Sequence, residues 1–135
     1  MGAWSEDAFG NDTACDWAGE FSEDPTMRKV EEAIEAVLRE EGHVDSDTAA
    51  ECLVACEIIA RLKGRWGERS AYSEPVDEWI EASDVRPSDA QVRSASRAME
   101  RILGEDSELR ELWDEDGPNE AWRSAMTDLK ARVTA

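Results

Sequence analysis

A chain of 135 residues has the length of one domain, 1–135, and 41% apolar residues are enough to bury a real core. A formal net charge of −18, from 33 acidic side chains against 15 Lys and Arg, repels phosphate backbones and anionic lipid surfaces. Neither nucleic acid nor a membrane is therefore an expected partner, and no apolar run approaches the length of a bilayer span.

Trp4, Phe9, Trp17 and Phe21 crowd the first stretch of the chain. That much aromatic surface is expected to dock on the body of the protein rather than fray. Asn11-Asp12 offers a cap, with Asp12 preferred as N-cap, for a short helix over about 13–21 that buries Ala14, Trp17 and Phe21. Asp24-Pro25 reads as an N-cap followed by proline at the first helical position. Met27, Val30, Ile34, Val37 and Leu38 then recur at helical spacing until Gly42.

Ser46 or Asp47 starts the next helix, which runs to about Lys63 and stops at Gly64. From Cys52 to Leu62 it is apolar nearly all round, as befits the centre of a bundle. A loop over 65–72 precedes Ser73-Glu74-Pro75, which opens a shorter helix carrying Val76, Trp79 and Ile80. Pro87-Ser88-Asp89 begins another, with Val92, Ala95, Met99, Ile102 and Leu103 on its apolar stripe, and Gly104 ends it. A brief helix from about Ser107 to Asp114 and a last one bearing Trp122, Met126, Leu129 and Val133 flank Gly117-Pro118-Asn119. No segment alternates with period two. The expected fold is all-α, an irregular bundle of six to seven helices with a docked aromatic N-terminal segment.

The acid is concentrated in two runs. Residues 1–24 carry Glu6, Asp7, Asp12, Asp16, Glu20, Glu23 and Asp24 without a single Lys or Arg. Residues 104–120 set Glu105, Asp106, Glu108, Glu111, Asp114, Glu115, Asp116 and Glu120 against Arg110 alone. Such runs serve solubility first, and they also suit capture of a basic protein. Trp66 stands apart from the helical tryptophans, in a loop between Gly64-Arg65 and Gly67, and is the natural surface anchor. Trp66, Glu111, Asp114, Glu115 and Asp116 form the expected partner-binding set.

Asp12, Asp16 and Glu20 share a helical face, where carboxylates can hold a divalent cation, although early acidic residues also suit a helix N-terminus without any ligand. Cys52 and Cys56 are spaced like half a zinc site, but on the most apolar helix they are better read as small core residues. Three cysteines, and no signal-like start, point to free thiols in a reducing cytoplasm. The single histidine, His43, just past a helix end, reads as a capping or solvated residue. No nucleophile elbow, phosphate loop or dinucleotide fingerprint is present, so neither a catalytic residue nor a cofactor is expected.

Gly2-Ala3-Trp4, Phe9, Asn11-Asp12, Ala14 and Asp16-Trp17 together resemble the opening of the bacterial domain-of-unknown-function family 4259. Ala49-Ala50-Glu51 leading into the apolar helix, the run from Asp106 to Trp113, Trp122 and the closing 128–132 segment extend the resemblance along the chain. Ser5-Glu6-Asp7 stands where glycines are usual in that family. The resemblance implies a small bacterial helical domain and no particular activity. The leading expectation for function is a non-enzymatic interaction module, immunity- or inhibitor-like, that binds a basic protein as a monomer or homodimer. A metal-dependent hydrolase or metal binder using Asp12, Asp16 and Glu20, and a structural homodimer, are the rival expectations.

Overall fold

The computed structural model describes residues 6–135, which form helices α1 (Asp12–Glu23), α2 (Met27–Arg39), α3 (Ser46–Leu62), α4 (Glu74–Ala82), α5 (Asp89–Leu103), α6 (Glu108–Trp113) and α7 (Glu120–Thr134). There is no strand among the described residues, only an isolated parallel bridge between Val44 and Ser107. The fold is an all-α bundle, as the periodicity predicts. No helix of the described residues is long and apolar enough to cross a membrane.

α3 is the axis. Every residue from Cys52 to Leu62 is buried, and the helix packs against all six others. A helix with no polar stripe is stable in water only when neighbours cover it all round. Ile58 and Ile59 lose all exposure, and burial of such side chains contributes roughly 1.5–3 kcal/mol each. The end of α3 is set by Gly64 at φ 82°, where Arg65 N–H reaches Ala60 O (2.9 Å) and Gly64 N–H reaches Arg61 O (2.9 Å). This left-handed turn satisfies carbonyls that the helix leaves open, and it throws the chain out into the 65–73 loop.

α2 and α5 bury conventional apolar stripes, Val30-Ile34-Val37 and Ala95-Met99-Ile102. Arg101 from α5 donates to the carbonyls of Val37, Glu40 and Gly42, closing the C-terminal end of α2 with a cation. Ser88 and Gln91 form a reciprocal capping box at the start of α5. The N-terminal segment is docked where it is described: Ala8, Phe9 and Gly10 are buried. Trp4 and Gly2-Ala3 lie outside the described residues.

Two starts differ from expectation. Asn11, not Asp12, caps α1, its side chain accepting from Ala14 N–H at 2.8 Å. Asp24 closes α1 instead of opening α2, whose cap is Thr26, accepting from Lys29 N–H at 3.3 Å. Pro25 thus sits in the turn between two helices rather than at a first helical position. Both sites offer more than one cap-competent residue within three positions, Asn11 with Asp12 and Asp24 with Thr26.

An acidic end and a buried ion network

The carboxylates gather at the N-terminal end of α3. The bridge between Val44 and Ser107 (Val44 N–H to Asp106 O, 2.8 Å; Glu108 N–H to Val44 O, 3.0 Å) lays the α2–α3 connection beside the α5–α6 connection. Glu108 Oε1 then accepts from Ser46 N–H at 2.9 Å, and Glu111 Oε2 lies 2.9 Å from His43 Nε2. From the other side, the Thr13 hydroxyl at the start of α1 donates to Asp47 Oδ1 at 3.0 Å. The two acidic runs, remote in sequence, therefore meet the same segment, 43–48. Three helices begin here, and their exposed N–H groups favour negative charge.

Compensation is incomplete. Partial burial, reinforced by Glu20, Asp47 and Asp45, pushes the Glu51 carboxyl above its ordinary range. Burial together with Asp12, Asp16 and Asp7 does the same to the Cys15 thiol. Glu108 is the exception: hydrogen bonds from Ser46 hold it below the ordinary range.

Of the residues expected to bind a partner, Glu111, Glu115 and Asp116 are exposed, and Glu111 lies at this end beside His43. Asp114 is engaged within the fold. Its Oδ2 accepts from Arg123 Nη2 at 2.6 Å and its Oδ1 from Asn119 N–H at 2.9 Å, and these contacts hold its carboxyl below the usual range. Trp66 lies beyond the opposite end of α3, roughly 25 Å away along the helix axis. It is half-buried, with the Arg61 guanidinium 5.4 Å and the Arg69 guanidinium 4.6 Å from its ring centre. Both cations already engage its ring within the fold. Asp12, Asp16 and Glu20 are exposed along α1, and no three His, Cys, Asp or Glu among the described residues are grouped so as to hold a metal ion. Cys52 and Cys56 are fully buried. A hydrogen bond with Cys52, then burial, drives the Cys56 thiol well above the ordinary range.

Sequence reasoning missed a second feature, a buried charge network at the C-terminal end of α3. Glu57 and Arg61, one turn apart, are 5% and 2% exposed, and Asp77 of α4 is 1% exposed. Arg132 of α7 grips Glu57 with both terminal nitrogens and reaches the carbonyl of Arg65. Arg61 donates to Glu68 O at 2.9 Å and lies between the rings of Phe9 and Trp66. Its Nε is 3.3 Å from Asp77 Oδ1 but off line for a hydrogen bond; Nε, Nη1 and Asp77 Oδ1 are buried without a bonded partner among the described residues. Ser73 satisfies the other Asp77 oxygen at 2.6 Å, and Arg69 bridges Asp77 and Glu81. The loop passes closely over this network at Gly67, where a Cβ would sit 2.8 Å from Arg132. The available signal was Glu57 and Arg61 interrupting an otherwise apolar helix face.

The fold and its charge distribution define an acidic all-α domain with one carboxylate-rich end and one end pinned by buried arginines. The chain belongs to the family described as a domain of unknown function (DUF4259), which it matches over residues 2–125. No curated protein and no solved structure matches it.

Proposed function

We propose that the protein is a non-enzymatic interaction module whose acidic end captures a basic protein, in the manner of an immunity or inhibitor protein. The observation that carries this reading is the convergence of both acidic runs on the 43–48 segment, which concentrates charge beyond what helix capping needs. Glu51, in the first turns of α3, feels part of that field: burial first, then Glu20, Asp47 and Asp45, raises its carboxyl. A field of this kind steers a cationic partner and speeds its capture. The reading belongs to the reducing interior of a bacterial cell, where the free thiols of Cys15, Cys52 and Cys56 persist.

The test is affinity capture of the tagged chain from its own host, with wild type and Glu105→Gln/Glu111→Gln/Glu115→Gln side by side. One basic protein, retained by wild type, released by salt and weakened by the triple variant, supports the reading. A column that returns no basic protein, or one that the variant holds equally well, sinks it.

A further inference from the structure

On the side of α4 facing α1, an open groove of about 470 Å³ is walled by Glu74 and Glu78 and lined by Pro25, Ala71, Pro75 and Trp79. Trp79 is half-buried; its ring packs edge-on against Phe21 (5.3 Å, 83°), which stacks in turn on Trp17 (5.4 Å, 16°). The tryptophan is therefore packed into an aromatic cluster with α1 while contributing to the groove lining. Glu74 and Glu78 are exposed, one helical turn apart, and neither forms an ion pair among the described residues. Like charges at that spacing repel by a few tenths of a kcal/mol.

The 65–73 loop and α4 together show what such an arrangement accepts. Arg69 lies over Trp66 at 4.6 Å while pairing with Glu81 and Asp77. The groove offers the same parts, a tryptophan and two carboxylates, without the arginine. A flat guanidinium fits between a ring and paired carboxylates better than the compact ammonium of lysine. We propose that the groove seats an arginine side chain of a basic partner protein, stacked on Trp79 and paired with Glu74 and Glu78. This rests on the reading of the chain as a binder of basic proteins, but it places the anchor at the α1–α4 groove rather than at the acidic end.

The probe is acetyl-triarginine amide, titrated at about 0.15 M salt to screen diffuse attraction, with acetyl-triglutamine amide as control. NMR follows the indole N–H of Trp79, assigned with Trp79→Leu. The indole resonance is expected to shift saturably with the cationic peptide alone, and Glu74→Gln/Glu78→Gln to weaken binding about tenfold. Both substituted positions are exposed, so that variant keeps its fold; Glu105→Gln/Glu111→Gln/Glu115→Gln should bind the peptide like wild type. A silent Trp79 resonance, or unchanged affinity in Glu74→Gln/Glu78→Gln, overturns the proposal even where host capture through the acidic end succeeds. Saturable binding at Trp79 alongside an empty capture column upholds the groove as an arginine site while the reading of host-protein capture falls.

Discussion

Arg132 and Glu57, 75 positions apart in the chain, meet as a two-pronged ion pair, with Nη1 donating to Oε1 at 2.9 Å and Nη2 to Oε2 at 3.0 Å. The pair fastens the last helix to the C-terminal half of the central one. Burial works against the Arg132 charge, but hydrogen bonding and attraction from Glu57 and then Asp128 outweigh it, so the guanidinium is held above its ordinary range.

Removing the Glu57 charge leaves Arg132 with Asp128 and Arg61 with Asp77 as their remaining carboxylate neighbours. Glu57→Gln is expected to lower stability by about 3 kcal/mol, the scale for breaking a buried pair from one side. Urea unfolding measures it. A loss under about 1 kcal/mol would place the pair with solvent-screened surface bridges instead.

Arg61 anchors the 65–73 loop through Glu68 O and through the face of Trp66. Arg61→Met keeps much of the packing volume while leaving Asp77 without its nearest cation. The expected cost is again about 3 kcal/mol, and Arg61→Met/Asp77→Asn should recover part of it. Hydrogen exchange should show faster opening at 65–73 before α2 or α5 responds. Uniform loosening of all helices would argue that Arg61 supports the whole core rather than the loop.

Glu51 carries a raised carboxyl, so the folded state holds its proton more tightly than the unfolded chain does. Its charged form therefore costs stability at neutral pH, and acidification toward the ordinary glutamate value relieves the cost. Glu51→Gln should stabilise the protein at about pH 7, by less than about 1 kcal/mol given solvent screening, and the advantage should vanish by about pH 4. Glu108 and Asp114 act oppositely: their lowered carboxyls add stability above the ordinary range that is lost as pH falls. Both are shared by wild type and variant, so paired melts across pH cancel them. An advantage that persists in acid would contradict the charge argument.

Thiol labelling separates the three cysteines. Cys52 and Cys56 are fully buried, and Cys15 is partly exposed. Native protein should label at Cys15 alone, and denatured protein at all three. Because Asp12, Asp16 and Asp7 add to burial in raising the Cys15 thiol, salt should accelerate its labelling at neutral pH. Rapid native reaction at Cys56 would mean that α3 opens far more readily than its packing implies.

Element by element, the helices were legible because each writes its own signal locally. Val30-Ile34-Val37 and Ala95-Met99-Ile102 repeat at the helical period, and Gly64 ends α3 because its left-handed turn disfavours a side chain. The unbroken apolar run from Cys52 to Leu62 already marked α3 as central. Caps are less legible where neighbours compete, as Asn11 with Asp12 and Asp24 with Thr26, since Asn, Asp and Thr are all good cap residues.

The surface was another matter. Composition alone determined that the protein is strongly acidic, and the sequence places Glu111, Asp114, Glu115 and Asp116 in one acidic run. Only the tertiary structure turned Asp114 inward to Arg123, set two arginines against the Trp66 ring, and brought Thr13 to Asp47 and Glu108 to Ser46. Helix formation is governed by residues a turn apart, which sequence displays. Charge neighbourhoods are made by contacts between residues dozens of positions apart, which exist only once the bundle has closed.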